Sequence, residues 1–173
     1  MTVQFKNIRI RNLPVKEKKI ALIAGVRSHG YGSHEHFAGC MILADAIRSA
    51  KPDYAIDVFR NGWPKDASVL ADVDCIVMYA DGGVRHPVVP HLKSVDELAK
   101  NGVGIVCIHY GVEVEKGEVG NSFLDWIGGY FEAHWSVNPH WTASFSKFPD
   151  HPISRGVKPF AIKDEWYYHM RFR

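Results

Sequence analysis

Short apolar runs alternate with amphipathic stretches between residues 18 and 111, and this alternation constrains the fold more than any other feature of the chain. Apolar runs separated by helical patterns are typical of β–α–β units, in which helices cover a parallel sheet. The first run, residues 20–26, is continuously apolar, as expected of a strand buried on both faces. The sequence therefore predicts an α/β fold with a mostly parallel central sheet.

Three later runs are predicted as further strands of this sheet, namely residues 54–59, 75–80 and 103–108. We expect the last of them to be buried on both faces, as the first is. Residues 94–97 read Ser-Val-Asp-Glu, a capping box that predicts a helix starting there and ending at Asn101 and Gly102. Farther along, the alternating residues 141–146 predict a half-exposed strand.

Length and composition indicate one soluble globular domain. The 173 residues suffice for one sizeable core, and their 46% hydrophobic and 23% charged content excludes a disordered chain. The net charge of +2 comes without a run of like charges, so neither nucleic acid nor a membrane is expected as a partner. The longest apolar stretch is far shorter than a membrane span requires.

The cysteines and the N-terminal residues indicate in which cellular compartment the protein is found. The three cysteines are widely spaced and form no CxxC pair, which favours buried thiols in a reducing environment. Residues 1–19 are mixed and basic and lack the apolar region of a signal peptide. We therefore expect a cytoplasmic protein.

The chain holds ten histidines, an excess that indicates a polar and chemically active site. In parallel α/β sheets, ligands bind beyond the carboxyl ends of the strands. If the strand order is flavodoxin-like, the loops after the first, third and fourth strands meet at that edge. These loops carry His29, His34 and His36; Asp81, Gly82, Gly83, Arg85 and His86; and His109 and Tyr110.

The pair His34 and His36 indicates a metal site. Imidazoles two residues apart share a side only where the backbone is extended, and with His29 or His109 they would hold Zn²⁺ or a similar divalent ion. The alternative is a polar first turn of a helix with solvated histidines. No nucleotide is expected, because the one GxGxxG-like string has glutamate in place of its third glycine and no GxxxxGK[ST] loop occurs. A flavin is not expected either, and an FMN-binding flavodoxin is the weakest of the alternative functions.

His109 directly follows the fourth predicted strand, at a corner that projects a side chain into the crevice beyond the sheet. There it would act as a general acid or base, or as a ligand; the alternative is a histidine that hydrogen-bonds to nearby backbone. Cys107 is expected to be a packed core thiol rather than a nucleophile. The backbone N–H groups of Gly82 and Gly83 would bind a ligand oxygen, unless the pair forms a simple tight turn.

Asp164 and Glu165 interrupt an aromatic run that ends at Tyr168. A carboxylate among aromatic rings suits carbohydrate binding or acid–base chemistry with an altered pKa. The alternative is a solvated pair on an edge strand.

Several strings of the chain resemble the trehalose-utilisation (ThuA-like) family: HGYGSHEH, the DGG turn, GIVCIHYG, FLDWIGGYFEAHWSVNPHW and DHPISRGVKPFAIKDEWYY. The resemblance covers most of the chain. It implies the flavodoxin-like three-layer sandwich of the class I glutamine amidotransferase-like superfamily and a role in carbohydrate metabolism. The substrates that it implies are disaccharides or their 3-keto derivatives.

The resemblance also implies roles for single residues. His109 occupies the place where glutamine amidotransferases carry their nucleophilic cysteine, so glutaminase activity is not expected. The other matches are Gly82 and Gly83 with the superfamily's oxyanion loop, Asp164, Glu165 and Tyr167 with the family's DE-x-Y element, and His134 with a further family histidine.

Together these observations predict an enzyme that acts on a trehalose-type disaccharide or keto-sugar, with His109 and Glu165 as its acid–base pair. The expected metal ligands are His29, His34 and His36, and the expected substrate-binding residues are Asp81, Gly82, Gly83, Arg85, Tyr110, His134 and Tyr167. Hydrolase, lyase and isomerase reactions are left open.

The alternative function is a non-catalytic sugar-binding or regulatory module. Its stacking platform would consist of Trp135, Trp141, Trp166 and Tyr168. In either case we expect residues 1–173 to form a single domain that is shortened at its C-terminus relative to the family. A homo-oligomer is left open, since a partner chain would cover an open edge of the sheet.

Overall fold

The computed structural model describes residues 17–173, and most of the N-terminal segment considered above lies outside this range. The main sheet has four strands in the order β2-β1-β3-β4, and each neighbouring pair is parallel. The strands are β1 (Lys19–Ala24), β2 (Ala55–Phe59), β3 (Cys75–Tyr79) and β4 (Gly104–Ile108). The predicted α/β fold is therefore confirmed, with the flavodoxin-like order that places the loops after β1, β3 and β4 at one edge.

Helices cover both faces of this sheet, which gives three layers. They are α1 (His36–Ala50), α2 (Leu92–Lys100) and α3 (Glu118–Ile127). Because side chains alternate along a strand, β1 contributes to two cores: Leu22 packs with Cys40 of α1, and Ile23 packs in the cluster that includes Phe123 of α3. Burial of each such side chain contributes about 1.5–3 kcal/mol.

The strands after β4 form two smaller sheets. One contains β5 (Glu113–Val114), β6 (Gly129–Glu132) and β9 (Arg171–Phe172), and the other is a hairpin of β7 (His140–Phe145) and β8 (Phe160–Glu165). Strand β7 confirms the strand predicted at residues 141–146, and β8 ends at Glu165. Within residues 17–173, no helix is both long and apolar enough to cross a membrane.

Two local predictions are wrong. Strand β4 is an edge strand of the main sheet as described, and Val106 on it is 43% exposed, so it is not buried on both faces. Helix α2 begins at Leu92 rather than at Ser94. A 3₁₀ turn, Val89–His91, leads directly into α2, so the preceding turn and not the Ser-x-x-Glu string determines where this helix starts.

His86 lies in the core beneath the site, although its loop was expected to carry it to the exposed edge. The ring is 1% exposed; its Nε2–H donates to the Gly111 carbonyl at 3.0 Å, and its Nδ1 accepts the Val88 N–H at 3.1 Å. Both nitrogens of the neutral ring are thus satisfied. Burial lowers the pKa of His86 to about 4, so this histidine is neutral and structural.

We expect His86 to make the fold sensitive to acid. The unfolded chain takes up the proton near pH 6.5 and the folded chain near pH 4, so stability is fully present above pH 6.5 and falls as the pH drops towards 4. The loss attributable to His86 is about 3 kcal/mol. Urea unfolding at pH 7 and pH 4 measures it: His86→Leu should lose less stability over this interval than wild type and than the exposed control His140→Gln. Equal losses in all three proteins would contradict this role.

Candidate active site

The carboxyl ends of β1, β3 and β4 bring three segments together. They are the loop of residues 25–35 that leads into α1, the turn of residues 80–83, and the 3₁₀ turn His109–Val112. The Gly25 N–H donates to the Tyr79 carbonyl at 2.8 Å, which ties the first segment to the second. The predicted convergence of these loops is therefore present in the structure.

Asp81 lies at the centre of a histidine cluster. Its Oδ1 is 3.0 Å from His34 Nδ1, 3.4 Å from His36 Nε2 and 3.8 Å from His29 Nδ1. Burial tends to raise the pKa of Asp81, but hydrogen bonds from Ser28 and His34 and the nearby imidazoles outweigh it, so the pKa is lowered. Asp81 is therefore an ionised carboxylate surrounded by three imidazoles.

Three of these residues are arranged so that they could hold a cation. His29, His34 and Asp81 each offer one ligand atom, and these atoms lie within 4.8 Å of one another. Ligand atoms on one tetrahedral zinc ion are roughly 3.3 Å apart, so a closure of at most about 1.5 Å would bring them into coordination distance. The structure thus adds Asp81, which was predicted as a substrate ligand, to two of the predicted metal ligands.

The third predicted ligand, His36, supplies an independent observation. Its Nδ1–H donates to the Val26 carbonyl at 3.1 Å, which leaves Nε2 with a lone pair when the ring is neutral. This Nε2 is buried, faces Asp81 and has no hydrogen-bond partner among the described residues. A lone pair directed at a carboxylate oxygen is unfavourable unless a cation or proton lies nearby, so the donor set fits a divalent ion.

His109 forms the link between this cluster and a second group of polar residues. It has a left-handed backbone, with φ +52°, at the corner after β4. Its Nδ1 is 3.1 Å from the Tyr167 hydroxyl, and its Nε2 is 3.4 Å from His34 Nε2 and 3.8 Å from Glu165 Oε2. Burial and the neighbouring His34 lower the pKa of His109 more than Glu165 raises it. The ring is therefore neutral at pH 7 and able to accept a proton.

A cavity of about 330 Å³ opens over this group. It is lined by His29, His34, His109, Tyr110, Glu113, Asn138, Glu165 and Tyr167. The structure therefore brings together six of the predicted histidine, carboxylate and tyrosine positions. The lining is mostly polar, so it offers many hydrogen-bond donors and acceptors to a hydroxyl-rich ligand.

Glu113 and Asn138 belong to the cavity but were not predicted. Asn138 Nδ2 donates to Glu165 Oε1 at 2.6 Å and fixes that carboxylate. Burial, and then the nearby Glu115, raise the pKa of Glu113. The only sequence feature that could have indicated Asn138 is its place inside the string FEAHWSVNPHW, which carries part of the family resemblance. For Glu113 the only such feature is its position four residues after His109.

The two glycines after β3 differ in what they require. A Cβ on Gly82 would lie 2.5 Å from the Tyr110 carbonyl oxygen and 2.6 Å from that of Glu113. Gly83 has φ +65° but open space around it. Gly82 is therefore needed for close packing beneath the cavity, and Gly83 for its backbone conformation.

Other predicted residues lie apart from the cavity. Arg85 lines a separate, neighbouring cavity that also includes Asp81. His134 is exposed and outside the lining, although it lies close enough to Glu113 to lower the pKa of that carboxyl against the larger effect of burial. Among the aromatic residues of the proposed platform, Trp141 and Trp166 lie together, whereas the ring of Trp135 is covered by the Arg171 guanidinium.

Comparison with known proteins identifies the family. The family model for trehalose utilisation (ThuA) matches residues 25–173. A crystal structure described as a ThuA-like protein from Bacteroides uniformis aligns with 94% of the chain at a TM-score of 0.60 and 16% identity, which shows a shared fold; the chain spans 64% of that protein's length. No curated protein matches the chain. On the strength of the family model, the chain belongs to the ThuA, or trehalose utilisation, family.

Proposed function

We propose that the chain acts on a disaccharide or keto-sugar of the trehalose type by acid–base chemistry of His109 and Glu165, assisted by a divalent metal ion. The observation that carries the proposal is the shared cavity in which a neutral, half-buried His109 lies 3.8 Å from Glu165 and beside the cluster around Asp81. Family membership supports the carbohydrate class of the substrate. The left-handed corner at His109 supports the proposed relation to the amidotransferase-like superfamily, with histidine in place of its nucleophile.

In this proposal His109 exchanges a proton with the substrate at Nε2. That atom lies 3.8 Å from Glu165 Oε2, and this carboxylate would stabilise the imidazolium formed when the proton arrives. Nδ1 then carries a hydrogen, and the Tyr167 hydroxyl can accept it, since a hydroxyl both donates and accepts. Suitable steps are proton removal beside a carbonyl group or hydrolysis of a keto-glycoside.

The other polar groups of the cavity orient the substrate. Asn138 holds the Glu165 carboxylate through Oε1, so that Oε2 remains directed at His109. Glu113 has a raised pKa and Tyr110 a phenolic hydroxyl, and both are suited to hydrogen bonds with sugar hydroxyls. Binding of a substrate oxygen by the Gly82 or Gly83 N–H stays a prediction, because neither glycine is among the residues that line the cavity.

His29, His34 and Asp81 would hold the ion, with His36 behind them. A divalent ion bound there supplies Lewis-acid polarisation of a carbonyl or hydroxyl oxygen. His34 contacts both Asp81 and His109, so it couples the ion site to the acid–base residue. Its Nδ1 is directed at Asp81 and its Nε2 at His109, so the ion site and the acid–base residue lie on opposite sides of the His34 ring.

Elemental analysis of untagged protein tests the metal part of this proposal. We expect about one zinc or similar ion per chain in wild type, and affinity lowered at least 10-fold in Asp81→Asn and His34→Ala. His140→Ala, an exposed histidine on β7, is the matched control and should keep the ion. Absence of metal from wild type loaded with excess zinc, or equal metal content in all variants, would contradict it.

A further inference from the structure

A second cavity, of about 250 Å³, includes Asp81 in its lining and shares no lining residue with the His109 cavity. Its lining comes mostly from the loop after β1 and from residues 80–87 after β3, with Gly62 added from the segment after β2. Most of its lining is glycine, alanine, proline and valine. The charged residues of the lining are Arg27, Asp81 and Arg85, so its ligand preference depends on these three groups.

The charged residues of this lining are two arginines and one aspartate, so the lining carries a net positive charge. Asp81 is already surrounded by imidazoles on its Oδ1. Among the described residues, Arg27 and Arg85 show no ion pair, whereas Arg48 and Arg171 each contact a carboxylate. Both arginines are exposed, and two arginines in the lining of one concave pocket favour an anion from solvent.

The size of the cavity restricts what it can take. At about 250 Å³ it falls below the roughly 300 Å³ at which whole-ligand pockets begin, so it suits one group of a ligand rather than an entire disaccharide. Arginine presents a planar fork of donors that matches the oxygens of phosphate and carboxylate. Ser28 is in the same lining, but its hydroxyl already donates to Asp81, so the arginines are the groups that remain for an anion.

We propose that this cavity is an oxyanion subsite, in which Arg27 and Arg85 bind a phosphate or carboxylate group of the substrate. The inference rests on the proposed function and deepens it: the substrate is an acidic sugar, whose anionic group occupies this subsite while its reacting carbon lies near His109. Asp81 lines this cavity and lies 3.0 Å from His34 Nδ1, and His34 lines the His109 cavity, so this contact links the two cavities.

Binding of inorganic phosphate tests the subsite without requiring turnover. Titration calorimetry on the metal-loaded protein should show saturable phosphate binding that weakens as sodium chloride is raised. Loss of one charged contact should weaken it about 10-fold in Arg27→Gln and in Arg85→Gln, and the double variant should bind still more weakly. Arg155→Gln, an exposed arginine in another surface pocket, is the matched control and should bind as wild type.

Two outcomes overturn the subsite. One is the absence of phosphate binding in wild type; the other is binding that is unchanged in the double variant, as expected if phosphate is held by the metal ion alone. Glucose 6-phosphate and glucuronate, each compared with glucose, then identify the anion, because the preferred acid should bind at least 10-fold more tightly than the neutral sugar. Equal affinity of all three sugars would also contradict the proposal. Failure of the proposed function appears separately, as absent metal or absent turnover with phosphate binding intact.

Discussion

Replacing His109 with Asn is expected to lower kcat on a keto-sugar substrate by about 10³-fold, because the amide cannot exchange a proton near neutral pH. Asparagine is the appropriate substitution, since it tolerates the left-handed backbone found at this position, where φ is +52°. The thermal unfolding midpoint and the metal content should stay close to wild type. Turnover followed by NMR, with kcat and KM determined separately, measures the effect.

The matched control for His109 is His140→Asn on β7, which should keep full activity. His109→Ala lacks both the proton-exchanging ring and a side chain suited to positive φ, so it should be as inactive and somewhat less stable. Activity retained within a few-fold of wild type in His109→Asn would rule out the acid–base role. Loss of metal together with activity would instead make His109 part of the metal site.

Gly82→Ala is expected to destabilise the protein by about 3 kcal/mol, the largest stability effect that we predict for a glycine of the site. The new methyl group would lie 2.5 Å from the Tyr110 carbonyl oxygen and 2.6 Å from that of Glu113. Both oxygens belong to backbone beneath the cavity, which cannot move without displacing residues of its lining. Chemical denaturation at pH 7 measures the change.

Gly83→Ala is the matched comparison, one residue along the same turn. Open space surrounds that position, so its cost is the left-handed backbone alone, about 1 kcal/mol. Gly83→Ala should also retain the metal ion, because Asp81 keeps its place. A Gly82 variant as stable as the Gly83 variant would show that the turn relaxes freely and that close packing is not the reason for glycine at residue 82.

The central sheet and the edge that carries the candidate site could be predicted from the sequence because both depend on local patterns. The continuously apolar residues 20–26 identified a buried strand, observed as Lys19–Ala24, and parallel order then placed the polar loops together. The burial of β4 could not be predicted in the same way. An apolar run shows that the side chains of a strand are suited to burial. Whether Val106 is buried depends on which other elements pack against β4.

The composition of the site was predicted less completely than its location. His34 and His36 are close together in the sequence, so a local pattern identifies them. Asp81 contacts both of them but lies more than forty residues away in the chain, and no local pattern reveals such a contact. His86 was grouped with the site and lies in the core, because the turn at Gly83–Arg85 directs it inward. Asn138 acts only through Glu165, a contact that exists once β7 and β8 have paired.

The most direct test of the central proposal is turnover of a keto-disaccharide by the purified, zinc-loaded protein. The protein is mixed with 3-keto-trehalose or its 6-phosphate, and the sugar signals are followed by NMR with trehalose as the unreactive reference. We predict saturable conversion of at least one keto-sugar, lost in His109→Asn and in Asp81→Asn. Saturable binding of these sugars without any conversion would contradict the proposal and indicate a sugar-binding module instead.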